Sequence, residues 1–250
     1  MRKRVVRLLI FVAYSGGVLL LILAVLSVSV RIQDWVFRNR AERLFSDIQS
    51  IDITHTTFQE ASSIFVGWDR SGGFVGPCSE HYCDFRIGIS EPIIWRDNSK
   101  LIPILLLFYR FLGGHPAIAR ANVNVGNGFV QAKHYSLAIE APPIVGADGR
   151  SLTYYVEGNI STEPQAGAND PVQLPINGHL QYQIGSNACL GCVEIHVKFT
   201  PSADPADVRR LSHINFSCLT RQHPCRTKED IMPVAASERS QEIRPSNAPS

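Results

Sequence analysis

The residues with the clearest chemical spacing are Cys189-Leu190-Gly191-Cys192. In a thioredoxin-like site the first cysteine of such a pair opens a helix after a buried strand, and the helix N-terminus lowers its pKa. Here Cys192 runs directly into the alternating stretch Val193 to Phe199, and Gly191 favours a turn. That context favours a structural bridge or loop clip over redox catalysis. Half a metal site is the third reading. His213, Cys218, His223 and Cys225 are close in sequence, and with Cys189 and Cys192 they offer ligands of the kind zinc takes tetrahedrally. The spacings match no regular zinc module, however, and an oxidising compartment favours a Cys218–Cys225 bridge.

For hydrolysis the chain has neither G-x-S-x-G nor H-E-x-x-H. Glu157 and Glu194 fall on strand faces that read as polar, where either can line a groove. His55, His81, His115, His134 and His179 sit near turns or strand edges and form no recognisable set. No catalytic residue and no cofactor is therefore assigned. Cys78, Cys83, Cys189, Cys192, Cys218 and Cys225 are all disulfide candidates. A local Cys78–Cys83 ring would pin the loop that feeds the next strand, worth about 2 kcal/mol.

What positions these residues begins with the uncharged run Leu8 to Val30. Its 23 residues at about 1.5 Å each reach roughly 34 Å as a helix, enough for a hydrocarbon core of about 30 Å. The run exceeds the apolar region of a cleaved signal peptide, so an uncleaved anchor is the favoured reading. Arg2, Lys3, Arg4 and Arg7 precede it without an acid, which predicts a cytoplasmic N-terminus and a periplasmic or extracellular bulk. Residues 1–43 carry eight Lys/Arg against two Asp/Glu, hence +6, and the remainder carries sixteen against twenty, hence −4. A mildly acidic ectodomain is a poor partner for nucleic acid. The expected partners are the bilayer, through residues 8–30, and an envelope protein or ligand.

Residues 31–50 read as a helical stalk, with Ile32, Trp35, Val36, Leu44, Phe45 and Ile48 at roughly helical spacing. Ile51 to Ile53 reads as a short strand. Thr57-Phe58-Gln59-Glu60 is a capping box, followed by the stripe Phe58, Ala61, Ile64, Phe65 and Trp68. Leu101 to Leu112 is apolar but too short to span, and reads as a helix buried against the sheet, with an interfacial helix as the alternative. Period-two stretches follow at 84–90, 117–125, 129–140, 152–160, 180–184 and 193–199, with a hairpin turn at Gly126-Asn127-Gly128. Asp204-Pro205 starts a helix. Residues 233–250 are nearly devoid of apolar side chains and read as a disordered tail.

Clean alternation is the habit of antiparallel sheets with one buried face. The predicted fold is α+β: an N-terminal transmembrane helix, then one ectodomain with a mainly antiparallel sheet of five or six strands and helices mostly on one face. The predicted organisation is a basic segment at 1–7, the span at 8–30, the stalk at 31–50, the ectodomain at 51–232 and the tail at 233–250.

The segments Ile51 to Phe85, with Gly-Pro-Cys and Cys-Asp-Phe, and Asn215 to Cys225, with Asn-Phe-Ser-Cys-Leu-Thr, resemble a group of uncharacterised bacterial single-span membrane proteins. The resemblance implies an envelope protein with structural cysteines and implies no activity. Two functions are carried forward. The first is an anchored binding or interaction module. The second is an anchored thiol-redox or metal-binding protein using Cys189 and Cys192.

Overall fold

The computed structural model describes residues 2–68, 72–74, 78–91, 102–145, 151–161, 182–189, 192–200, 203–221, 225 and 227–242. Side chains are described for these except 2–9, 72–74, 102–103, 141–145, 151–153, 182–183, 185–189, 192–193, 239 and 241–242. The chain runs α1 (Arg2–Ser50), α2 (Phe58–Val66), β1 (Gly72–Phe74), β2 (Tyr82–Glu91), α3 (Ile102–Phe111), β3 (Ala117–Gly126), β4 (Phe129–Val145) and β5 (Ser151–Ser161). It continues through β6 (Tyr182–Cys189), β7 (Cys192–Phe199), α4 (Pro205–Leu211), a 3-10 turn (Phe216–Leu219), α5 (Lys228–Ile231) and α6 (Pro233–Glu242).

The span and the stalk are one 49-residue helix. Among the described residues α1 is the one helix long and apolar enough to cross a membrane. Its buried face is a single seam. Leu23, Ser27, Val30, Asp34, Phe37, Ala41, Leu44 and Ile48 follow at alternating steps of four and three, the first two half-buried and the rest buried. That rhythm averages close to one helical turn per step, so all eight stay on one side. From Phe37 onward the seam lies in the main hydrophobic core. The segment read as a stalk is therefore a central helix of the domain. Ile32, Trp35 and Val36, read as part of its apolar stripe, are exposed, because the seam passes through Val30, Asp34 and Phe37 instead.

The sheet has seven strands in the order β1-β2-β3-β4-β5-β7-β6. It is one strand larger than expected, the extra one being the three-residue β1. Every pairing is antiparallel except β5 with β7. Asn127 and Gly128 both have positive φ, so the β3–β4 turn is of the type whose twist matches a hairpin. The inward residues Phe85, Ile87, Val123, Leu137, Val156 and Ile195 meet Phe45, Leu44 and Phe65 from the helical layer. Gly158 lies opposite Tyr135 in register. A Cβ there would sit 2.3 Å from the Tyr135 ring, so glycine is what lets that ring lie flat against β5.

Lys133 fixes the far end of α1. Its buried side chain donates to the carbonyls of Gln49, at 3.0 Å, and Ile51. A cation at a helix C-terminus meets both the orphan carbonyls and the negative end of the dipole. α2 begins with the capping box of Thr57 and Glu60, and Trp68 is buried, donating to Asp47 Oδ2 at 3.0 Å.

Three other expectations change. Ile51 to Ile53 form no strand: Ile51 and Asp52 are irregular and lead into a turn that begins at Ile53. α3 is not buried against the sheet. Tyr109 and Leu112 pack on α1 at Val30 and Leu23, while Ile104, Leu107, Phe108 and Phe111 stay exposed. A run that is apolar all round carries no periodicity to choose its face. Residues 233–242, read as disordered, form α6 with Ala235 and Ala236 fully buried. Two alanines are enough to seat a helix closely, and they barely register in an average over a polar stretch. Residues 243–250 lie outside the described residues.

Candidate functional site

The cysteines come first because the sequence put chemistry there. Cys78 is bonded to Cys83, and Cys218 to Cys225. Both rings are local. The first closes the loop before β2. The second starts inside the 3-10 turn, at Cys218, and Asn215 caps that turn by accepting from the Ser217 N–H at 3.2 Å. Cys189 and Cys192 face each other as the last register pair of the β6–β7 hairpin. Cys192 opens a strand rather than a helix, so no helix N-terminus is available to stabilise a thiolate. Their side chains are outside the described set.

The metal alternative loses two of its six candidate ligands. Two of its sulfurs, those of Cys218 and Cys225, are consumed in one bond. His223 lies outside the described residues. His213 is exposed and lines a shallow groove of about 230 Å³ with Phe45, Gln49 and Arg209, between α1 and α4. The described residues hold no group of three or more His, Cys, Asp or Glu placed to bind a metal.

Two polar constellations emerge that sequence spacing did not join. The first is on the sheet face turned away from the core. His134 Nε2 lies 3.0 Å from Glu157 Oε1. Glu157 stands in register beside His196, and Tyr155 beside Glu194. His196 Nδ1 lies 3.6 Å from Glu194 Oε1. These groups are half-buried or buried: the side chains of His134, Glu157 and Glu194 are 24%, 20% and 25% exposed, and that of His196 is 6%. Burial alone would raise the Glu157 pKa. The hydrogen bond from His134, with the charges of His134, His196 and Lys198, outweighs it and holds the carboxylate below its ordinary value. The same face bears Arg120 and Asn122 of β3, opposite Ser136 and His134. It offers anionic, cationic and aromatic groups side by side, an arrangement suited to hydrogen-bonding a polar ligand. Glu157 and Glu194 had been noted singly. His134 reaches Glu157 through the antiparallel β4–β5 pairing, His196 follows Glu194 two residues on along β7, and the parallel β5–β7 pairing sets His196 beside Glu157.

The second constellation is where α1 leaves its apolar run. Asp34 sits in the seam, with its side chain 1% exposed. Tyr109 Oη donates to Asp34 Oδ1 at 2.6 Å. The His115 backbone N–H points at the same oxygen at 3.5 Å, and His115 Nδ1 lies 3.3 Å from Oδ2. Glu91, on the inward face at the end of β2, is 9% exposed. Burial raises its pKa to about 7, helped by the charge of Asp34 and opposed by Arg40. Arg110, next to Tyr109, pairs with Glu140. The cluster ties α1, β2, α3 and β4 together at one end of the sheet. It is a polar lock in which Tyr109 and His115 both serve the Asp34 carboxylate.

The chain matches no family model, no curated protein sequence and no solved structure.

Proposed function

We propose that the protein is a single-span envelope protein. Residues 8–30 are an uncleaved anchor with a cytoplasmic N-terminus, and the α+β domain is held outside as a binding module. The polar sheet face around Glu157 is its binding surface. The observation that carries this reading is that face itself. Paired titratable side chains sit half-buried on the side of the sheet that the core does not use. Buried polar groups weaken a fold unless partnered, so a partnered set outside the core fits recognition better than folding. The orientation is supported by the four basic residues before the span, and the compartment by two disulfides. The continuous seam of α1 means that a partner meets a domain held at a fixed angle to its anchor.

The thiol-redox or metal-binding alternative has weaker support, because Cys192 starts a strand and Cys218 is already bonded. The deciding experiment places a photocrosslinking amino acid at Asn122 on the polar face, and at Gln59 on the helical side, in intact cells. A discrete adduct from Asn122 alone, lost on Glu157→Ala, supports the binding surface. Absence of any adduct from the polar face, or equal adducts from both sides, overturns it.

A further inference from the structure

We propose that α3 is a second membrane contact: a short helix lying in the outer boundary of the bilayer beside α1, its exposed apolar side against lipid acyl chains. The inference rests on the reading of residues 8–30 as a span. Ile104, Leu107 and Phe111 are 64%, 66% and 75% exposed. A contiguous apolar patch of this kind on a domain in water marks a contact surface. What covers it is indicated by where α3 is attached. Its buried residues, Tyr109 and Leu112, pack on Val30 with Leu23 beside them, and Ser27 Oγ donates to the Leu112 carbonyl at 3.1 Å. Leu23, Ser27 and Val30 all belong to the uncharged run. If that run is in lipid, the C-terminal end of α3 is held at the depth of its last two turns. The exposed side of α3 is then continuous with the exposed apolar surface of the span.

The length of α3 and the backbone at its C-terminal end suit such a place. At ten residues it is about 15 Å long, too short to cross and long enough to lie in the interface. Hydrocarbon penalises unsatisfied backbone groups heavily, and three of the last four carbonyls of α3 have partners. Phe108, Arg110 and Tyr109 accept from the N–H groups of Leu112, Gly113 and Gly114, with Gly113 at φ +88° making the turn. Ser27 supplies the partner for Leu112. The one charge in the helix, Arg110, is paired with Glu140.

The test uses the full-length chain in phosphatidylcholine vesicles carrying a diazirine in the acyl chain, at low protein density, with adducts mapped by peptide mass spectrometry. The expected result is lipid adducts on both 10–30 and 104–111, with none on 154–161. Adducts on 10–30 without adducts on 104–111 overturn the inference and leave the span intact. Adducts on neither overturn both. Protein–protein adducts from 104–111 in place of lipid adducts assign the surface to a second copy and also overturn it.

Discussion

Tyr109 gives its phenolic hydrogen to Asp34 across 75 residues of chain, at 2.6 Å, inside the contact between α3 and α1. Burial and the Asp34 charge raise the Tyr109 pKa further above its ordinary value, so the phenol stays a donor. Removing it leaves the buried carboxylate with His115 as its remaining hydrogen-bond partner among the described residues. Tyr109→Phe should therefore destabilise the detergent-solubilised chain by about 1–3 kcal/mol in chemical denaturation. Tyr82→Phe, at an exposed strand position, should change nothing measurable. Equal effects from the two would deny Asp34 its dependence on Tyr109.

Glu91 makes the same region sensitive to pH. Its folded pKa of about 7 lies above its ordinary 4.5, so between those values the folded chain holds a proton that the unfolded chain has released. The stabilisation is complete below about 4.5 and is lost as pH rises through about 7. Asp34 and Arg40 are the charges that face it, and both stay in place in Glu91→Gln. The variant should lack this slope and be the more stable of the two above pH 7, by up to about 3 kcal/mol. Parallel denaturation curves for the two chains from pH 4.5 to 8 would contradict the assignment.

At the other end of α1, Lys133→Met strips the Gln49 and Ile51 carbonyls of their donor. We expect a loss of about 2 kcal/mol at pH 7. Burial lowers the Lys133 pKa to about 8, against the pull of Asp52. From about 8 to 10.5 the unfolded chain binds the proton and the folded chain does not, so wild-type stability rises with pH over that window. The gap between wild type and Lys133→Met should widen there. A gap that narrows would mean that the ammonium form dominates the stabilisation.

Thiol trapping reports on the hairpin tip. With Cys189 and Cys192 as facing register partners, and the other four cysteines bonded in pairs, a membrane-impermeant thiol reagent should label none of the six on intact cells before reduction. Afterwards it should label all six. Labelling of Cys189 and Cys192 alone, without reduction, would restore the redox reading.

Much of this architecture is legible in the sequence because it rests on periodicity. The uncharged run Leu8 to Val30 has a length that few soluble helices match. Val123, Leu137 and Ile195 announce their face by alternation. The Thr57–Glu60 capping box and the Asn127-Gly128 turn carry their own stereochemistry. Asp34 was invisible for the opposite reason. One acid between Gln33 and Trp35 looks solvated, and only Tyr109 and His115, distant in sequence, make it a buried acceptor. The joining of Glu157 to His196 was equally hidden, since it depends on β7 lying parallel to β5 with β6 outside it. Ala235 and Ala236 show the limit from the side of packing. Small residues that seat a helix closely leave little hydrophobic signal.

Gly158 offers the sharpest test of the core. It stands opposite Tyr135, and a Cβ there would meet the Tyr135 Cζ and Oη at 2.3 Å. Tyr135 is wedged against Phe45 of α1 at a ring separation of 5.2 Å, so it cannot withdraw without disturbing that helix. Gly158→Ala should destabilise the chain by about 1–3 kcal/mol through overpacking. Tyr135→Leu will itself be costly, since it opens space beside α1. In that background the added Gly158→Ala should cost much less, because its clash has gone. The difference between the two costs is the coupling energy of the pair. Strictly additive costs would mean that the methyl at position 158 is resisted by something other than the Tyr135 ring.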